Sequence, residues 1–533
     1  MRYNNILNSK VTTQSAPIPG KNQVANSAGG YVWEVNDWTR LRRFLILGTE
    51  GGSYYASETK LTLENAEAIK RCLALDGVRV VKEIVAISDA GRAAKNDPAL
   101  FALAMCTAFG DDITRKAALE ALPTVARIGT HLFHFAEYVN GMRGWGRGLR
   151  NAVANWYDRK PNAELASQLV KYRQRDGWSH RDLLRLAHPK TDDATRNALY
   201  HWVVDGWEGV GEVPHPDQVL RTIWAFEQIQ RAKSGVEAAK LVREFALPIE
   251  VVPTELRDRG IWEAVLPHAG PTFLLRNLGN LSKIGLLTKG AWDAFALLRE
   301  KLTIGALRKA RVHPIQILSA LITYRQGHGS RGKGEWEAVP EVIDILDKAF
   351  YTAFDTVKPS GKRWVLALDV SGSMGMGEIA GVPGLTPRVG SAAMAMITYK
   401  VEAAVEIIAF STKLMRIDLS RQKRLDDVVK AVDGLPFSGT DCAQPMLWAM
   451  ENKVKADVFV VYTDSETWHG TIHPTQALDQ YRQKTGIPAR LAVVGMTANK
   501  FSIADPNDAG MLDVVGFDTA APDLIREFAM GSL

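Results

Sequence analysis

Asp369, Ser371 and Ser373, spaced as DxSxS, place three oxygen-bearing side chains within one short stretch. Two further oxygen-rich stretches follow, Ser438-Gly-Thr440-Asp441 and Thr463-Asp464-Ser465-Glu466. Magnesium takes about six hard oxygens near ~2.1 Å and gives up its waters reluctantly, so hydroxyls, carboxylates and retained waters suit it. Asp369, Ser371, Ser373, Thr440 and Asp464 are therefore candidate ligands of a divalent metal, magnesium. If the hydroxyls bind directly and the carboxylates mainly through water, the ion stays under-neutralised and draws an acidic oxygen from a partner into its open position. A DxSGS stretch alone is also what an Asx or Ser turn at a strand end looks like. The metal reading rests on all three loops coming in order along one sheet edge.

The elements that would position these loops are legible downstream of Lys358–Lys362. Continuous apolar runs at 363–369, 405–411, 413–420, 457–463, 489–495 and 512–517 alternate for the most part with helical stretches at 386–402, 422–433, 441–454, 475–485 and 522–529. Buried strands alternating with helices specify a doubly wound α/β sheet, with ligands at the carboxyl ends of its strands. The short turn between the second and third runs predicts an antiparallel edge strand. Upstream, from Asp37 to about Ala353, apolar residues recur at three and four, as in DWTRLRRFLIL, LENAEAIKRCLAL, GVRVVKEIVAI and ITRKAALEAL. Such a succession of short helices stacks as a solenoid of degenerate, HEAT-like repeats. The expected organisation is a flexible arm over 1–30, a helical module over 31–357 and an α/β domain over 358–533.

A second set of chemistry-bearing residues is basic. Residues 141–190 carry 11 Lys and Arg against 4 Asp and Glu, and residues 301–334 carry 7 against none. Lys171, Arg175 and His188 lie in KYRQRDGWSHRDLLRLAH, where Lys171 and Arg175 would share a helix face and Ser179 reads as an N-cap with Asp182 at the third helical position. Donors gathered at a helix junction suit phosphates and sugar hydroxyls; taken alone, the segment also reads as a solvated helix face. Arg143, Arg147 and Arg150 precede it in RGWGRGLR. Arg308, Arg311 and His313 lead into the glycine-rich stretch that holds Arg331, and Arg42-Arg43 with Tyr54-Tyr55 adds cations and stackable aromatics near the start of the array. A shared polyanion best explains several basic patches on one solenoid.

Composition narrows the classes. The chain has 533 residues, too many for one core, and 46% hydrophobic with 23% charged residues is ordinary for a folded protein. The net charge of +6 divides unevenly: 17 Lys and Arg against 20 Asp and Glu from Gly361 onward, and 48 against 39 before it. Three separated cysteines offer neither a disulfide framework nor a zinc site. With no run long enough to span a bilayer and no signal-like start, a cytoplasmic location without membrane contact is expected. No GxSxG, HxxxH or DExK pattern stands out, and one metal accounts for Asp369 with Asp464, so no enzyme is expected.

The metal constellation resembles the metal-ion-dependent adhesion site of von Willebrand factor A domains. The chain as a whole, from about residue 22 to its end, is similar to the Ro autoantigen family. ANSAGGYVW, FLILGTEGGSYY, RIGTHLF, KYRQRDGWSHRDLLRLAH, LLRNLG, RVHPIQIL, TYRQGHGSRGK and SGKRWVLALDVSGS carry the likeness. Where that family reads DVSAS this chain reads DVSGS, which touches no ligand but loosens the backbone. The resemblance implies a HEAT-like α-helical repeat ring followed by a von Willebrand factor A domain. It further implies binding of small noncoding Y RNAs on the outer surface, with Lys171, Arg175 and His188 in contact. Single-stranded 3′ ends of misfolded noncoding RNA would enter a central hole, in RNA quality control. A 3′-to-5′ exonuclease partner and a monomeric state are part of that expectation. The competing reading is a protein-interaction scaffold whose metal binds an acidic partner residue.

Overall fold

The computed structural model describes residues 11–532 except 51, 54, 211–216, 330–333, 355–356, 380–381, 383, 418–422, 434 and 436–437. Two expected RNA contacts, Tyr54 and Arg331, lie outside the described residues.

From Asp37 to Thr352 the chain is a succession of helices packed on their neighbours and next neighbours: Asp97–Phe109 packs on Gly129–Met142, and Asp112–Val125 on Arg147–Asp158. Helix Asp97–Phe109 shows why the layers cohere. From Pro98 to Cys106 its residues are apolar all round and all but Phe101 are buried, so this stretch serves as the inner member of a stack. LENAEAIKRCLAL and GVRVVKEIVAI are two helices, as expected, that meet within Glu58–Asp89 at Asp76, whose φ −160° and ψ 88° are not helical and whose side chain accepts from the Arg79 amide at 2.9 Å to start the second. Gly77 permits the kink to be packed: a Cβ there would stand 2.1 Å from the Thr114 hydroxyl.

The array returns to its own beginning. Arg311 donates to Asp89 at 2.6 Å, His313 Nε2 lies 3.0 Å from the Arg92 carbonyl, and Gln316 donates to the Ala94 carbonyl at 3.1 Å. These contacts join segments more than two hundred residues apart and close the helical array, a property that no local periodicity encodes.

The small strands of the amino-terminal half are β1 (Val24–Ala25), β2 (Tyr31–Glu34) and the hairpin of β3 (Gln174–Arg175) and β4 (Trp178–Ser179). The large sheet is built from β5 (Arg363–Asp369), β6 (Ala404–Phe410), β7 (Leu414–Arg416), β8 (Val458–Thr463), β9 (Arg490–Gly495) and β11 (Met511–Val515), while β10 (Phe501–Ser502) pairs antiparallel with β2. Its order is β11-β9-β8-β5-β6-β7, parallel except for the antiparallel edge strand β7. Continuous apolar strands such as β5 and β8 arise because helices cover both faces of the sheet. Since β5 and β8 are adjacent, the loops after Asp369 and Thr463 share one carboxyl-end rim.

The flexible arm is a correction, at least over its described part. Residues 11–30 dock on the A-type domain: Gln14 and Asn26 are buried, Lys21 pairs with Asp505 at 3.0 Å, and β1-β2-β10 forms a sheet shared between the two halves. Polar side chains supply the docking, so the segment carries no apolar stripe that would announce it.

Candidate metal centre and nucleic-acid interface

The DxSxS loop is folded by its own polar groups. Asp369 accepts from the Ser371 amide at 2.9 Å and from the Thr463 hydroxyl at 2.6 Å, and the Ser371 and Ser373 hydroxyls stand 3.2 Å apart. The Gly372 amide reaches the Ser438 carbonyl at 3.4 Å, which brings the Ser438–Asp441 loop alongside. Asp464 is hydrogen-bonded by the Ser373 side chain. Thus Asp369, Ser371, Ser373, Thr440 and Asp464 sit on three touching loops, and all five are buried.

The electrostatics of this set call for a cation. Burial, and after it the charge of Asp464, pushes the Asp369 carboxyl up to about 7. Burial raises Asp464 too, and burial followed by Asp464 lifts Glu466 to about 7. Among the described residues no cationic side chain pairs with Asp369 or Asp464. Two buried carboxylates beside three hydroxyls, with no ion-pair partner among the described residues, form a donor set that fits a hard divalent ion. Among the described residues no group of three or more His, Cys, Asp and Glu is gathered to hold a metal, so hydroxyls are essential to any ligand set here. Arg388, which no sequence motif marks, supports the loop from below. Its buried guanidinium donates to the Val370 and Ser371 carbonyls at 3.0 and 3.2 Å.

The basic residues divide into exposed and structural groups. Lys171 ends helix Asn162–Lys171, half-buried and 3.9 Å from Glu250; Arg175 follows on β3, 61% exposed. The shared helix face expected for this pair is corrected, because the helix stops at Lys171 and the chain turns through the β3–β4 hairpin, with Asp176 and Gly177 both at positive φ. Ser179 caps the next helix, reciprocally bonded with Asp182, and His188 ends that helix exposed, in a left-handed conformation at φ 46°. The hairpin packs on helix Gly129–Met142, where Trp178 donates to Glu137 at 2.9 Å, and its ring lies 5.3 Å from that of Trp145. That aromatic contact brings RGWGRGLR beside the hairpin, with Arg143, Arg147 and Arg150 exposed. Arg173 and Arg181 are exposed in the same region; neither is among the expected contacts, although both stand in KYRQRDGWSHRDLLRLAH.

Arg43 and His313 are not available to RNA. Arg43 is 0% exposed, bound to Asp513 at 2.7 Å and to the Asn499 and Phe501 carbonyls. His313 is 1% exposed and caps helix Pro314–Gln326, and burial pushes its imidazole down to about 4. Charge alone points to both as RNA contacts, and both are consumed by packing between distant segments. Arg42 is half-buried against Glu83 at 2.6 Å, and Arg311 is engaged by Asp89. Tyr55 is half-buried and Arg308 is exposed on helix Ile304–Lys309.

Known proteins resemble this chain in sequence and fold. The TROVE domain matches residues 24–207 and the Ro60 vWA domain residues 363–529. An RNA-binding protein RO60 of Deinococcus radiodurans is 45% identical over 96% of this chain and 96% of its own. One of Caenorhabditis elegans is 36% identical over 96% of this chain and 90% of its own. The crystal structure of the Deinococcus radiodurans RO (RSR) protein superposes with a TM-score of 0.69, at 45% identity, covering 93% of this chain and all of that one. A closed helical array sealed by an A-type domain, matched in both halves and along nearly its whole length, places this chain in the Ro60 family.

Proposed function

We propose that this protein is a non-enzymatic scaffold for noncoding RNA, with Y RNA held on the outer basic surface. The observation that carries the reading is the β3–β4 hairpin, which bears exposed Arg175 between the helix that Lys171 ends and the helix that His188 ends, and which meets the RGWGRGLR cations through Trp145 and Trp178. Both relatives being named RNA-binding proteins supports it. A recess of about 360 Å³ beside Lys171, Arg173, Gln174 and Arg257 offers donors at the hairpin's base. Single-stranded 3′ ends of misfolded RNA would enter at the closed array, and a 3′-to-5′ exonuclease would act on RNA so presented, in quality control. The chain has no helix among its described residues long and apolar enough to cross a membrane.

Lys171→Ala with Arg175→Ala is expected to weaken binding of a Y-type stem-loop and to flatten its salt dependence by about 0.7–0.9 in slope for each phosphate no longer neutralised. Filter binding at several salt concentrations measures both, and thermal melting should stay unchanged because neither side chain is in the core. Wild-type affinity and slope in a folded double variant would refute this surface as the RNA site.

The A-type rim is proposed to hold magnesium through Ser371, Ser373 and Thr440, with Asp369 and Asp464 supplying the negative charge. The ion would present a Lewis-acidic position for an acidic oxygen. A protein-interaction role at this rim draws support from Met376 and Trp468, 54% and 40% exposed on the loops beside it. Asp369→Ala should abolish magnesium binding in calorimetry while leaving Y-type RNA affinity near wild type, because the hairpin and the rim belong to different halves. Loss of RNA affinity in a folded Asp369→Ala variant would overturn that division.

A further inference from the structure

The loops that carry Thr440 and Asp464 do not stand alone, because residues 11–30 run across them. Gln14, fully buried, donates through Nε2 to Asp441 at 2.6 Å and to the Ile472 carbonyl at 2.8 Å, and its Oε1 accepts from the Thr467 hydroxyl. Its backbone amide reaches the Gly470 carbonyl at 3.2 Å. Asn26 donates to the Thr467 carbonyl at 2.7 Å and the Ser465 carbonyl at 3.3 Å. The Ser27 and Ala28 amides converge on one oxygen of Glu466 at 2.8 and 3.2 Å. Gly30 lies so close that a Cβ would stand 1.9 Å from the Thr467 carbonyl oxygen. Every residue from Ser465 to Thr467, and the residue after Thr440, is thus held by a segment more than four hundred positions away in sequence.

We propose that residues 11–30 are a positioning strap for the metal loops, with Gln14 and Asn26 as positioning residues, so that divalent-metal affinity and docking of the strap rise together. The proposal rests on the metal reading above. Asp441 and the 465–467 backbone are the groups flanking two ligands, and outer-shell partners that orient ligands typically carry 10–100-fold in metal affinity. None of the strap's groups is a ligand itself. Within the A-type domain the Thr440 and Asp464 loops already meet, the Trp468 and His469 amides donating to the Thr440 carbonyl at 3.2 and 2.9 Å, and Gln14 adds a clamp from outside by bonding to Asp441 on one loop and to Thr467 on the other. Coupling between a bound ion and a docked segment is reciprocal: whatever factor the strap adds to metal affinity, the metal adds to strap docking. Glu466 adds a second link, since the two strap amides share the carboxylate of a residue two positions after Asp464, whose own amide donates to Asp464 at 3.1 Å.

The test uses the full-length protein. Calorimetric titration with MgCl2 and MnCl2 compares wild type with Gln14→Ala and Asn26→Ala, and amide hydrogen exchange of residues 11–30 is followed with and without saturating metal. Each variant is expected to bind metal about 10-fold more weakly or worse, and metal should slow exchange at Gln14, Ser27 and Ala28 in wild type. If wild type binds metal and folded variants with a loosened strap bind it equally well, the strap inference is overturned and the metal reading stands. Should a variant fail to fold, wild type alone decides: metal binding without any change of exchange at those three amides refutes the coupling. A folded wild type that binds neither ion removes the metal reading, and the strap inference with it.

Discussion

Arg43→Ala should be among the most destabilising single changes in this protein, costing about 3–5 kcal/mol, the range for removing one partner of a buried ion pair. The guanidinium is buried at the seam between helix Asp37–Leu47 and the A-type domain. Its Nη2 donates to both oxygens of Asp513 at 2.7 and 2.8 Å, and its Nη1 to the Asn499 and Phe501 carbonyls at 3.0 and 2.9 Å. Alanine removes all of these donors at once and leaves Asp513, among the described residues, with only the Ser502 hydroxyl at 2.6 Å. Lysine should not rescue it, since a single ammonium cannot span the carboxylate and two carbonyls that a planar fork reaches. Gly495 is matched to this packing: a Cβ there would stand 2.8 Å from Arg43 Nη2. Denaturant unfolding of Arg43→Ala and Arg43→Lys, together with limited proteolysis between the halves, measures the effect. Wild-type stability in Arg43→Ala would mean that the seam is held elsewhere.

The same residue marks where sequence reading reaches its limit. In the chain Arg43 stands next to Arg42 among helix-forming residues, and nothing local separates a surface cation from one that crosses to residues 499–513. His313 is alike: its neighbours in sequence are basic, and its burial comes from Arg92 and from Phe517, whose ring lies 6.4 Å away. By contrast, the bounds of β5 are legible in the sequence, because a strand covered on both faces must be apolar throughout, and that demand is written locally. The DxSxS loop is legible for a similar reason. Its geometry comes from side chains bonding to backbone within two residues, as Asp369 does with the Ser371 amide. The β3–β4 turn escapes such reading because two-residue strands carry no periodicity, and the docked segment 11–30 escapes it because single polar contacts with remote loops hold it.

A second large effect is expected from acid. Burial holds the imidazoles of His131 and His180 at about 3 and that of His313 at about 4. Each is lowered from an ordinary value near 6.5, so below that pH the unfolded chain binds protons that the folded chain refuses. Folded-state stability therefore falls as pH drops from about 6.5 toward the folded values, by about 1.4 kcal/mol per unit for each histidine. At pH 5 the three together would cost the helical array about 6 kcal/mol. Asp369 and Glu466, raised to about 7, have the opposite sign: the folded chain binds the extra protons, so through these two groups acid favours the A-type domain, while His473, lowered by burial there, works against them. A whole-chain melt would blend the two trends, whereas amide exchange resolved by peptide separates them. His180 links this chemistry to RNA, because it lies directly after β4, bonded to the Tyr157 hydroxyl at 2.8 Å and packed against Phe133 and Trp156. Charging it loosens the hairpin that carries Arg175. Acid adds positive charge to the protein, and simple attraction would then strengthen RNA binding; loosening of the hairpin predicts the reverse. Y-type RNA affinity at constant ionic strength should decline from pH 6.5 to 5, in step with faster exchange in peptides covering 129–142 and 172–187. Affinity that rises over that range while those peptides stay protected would show that His180 plays no part in holding the RNA surface.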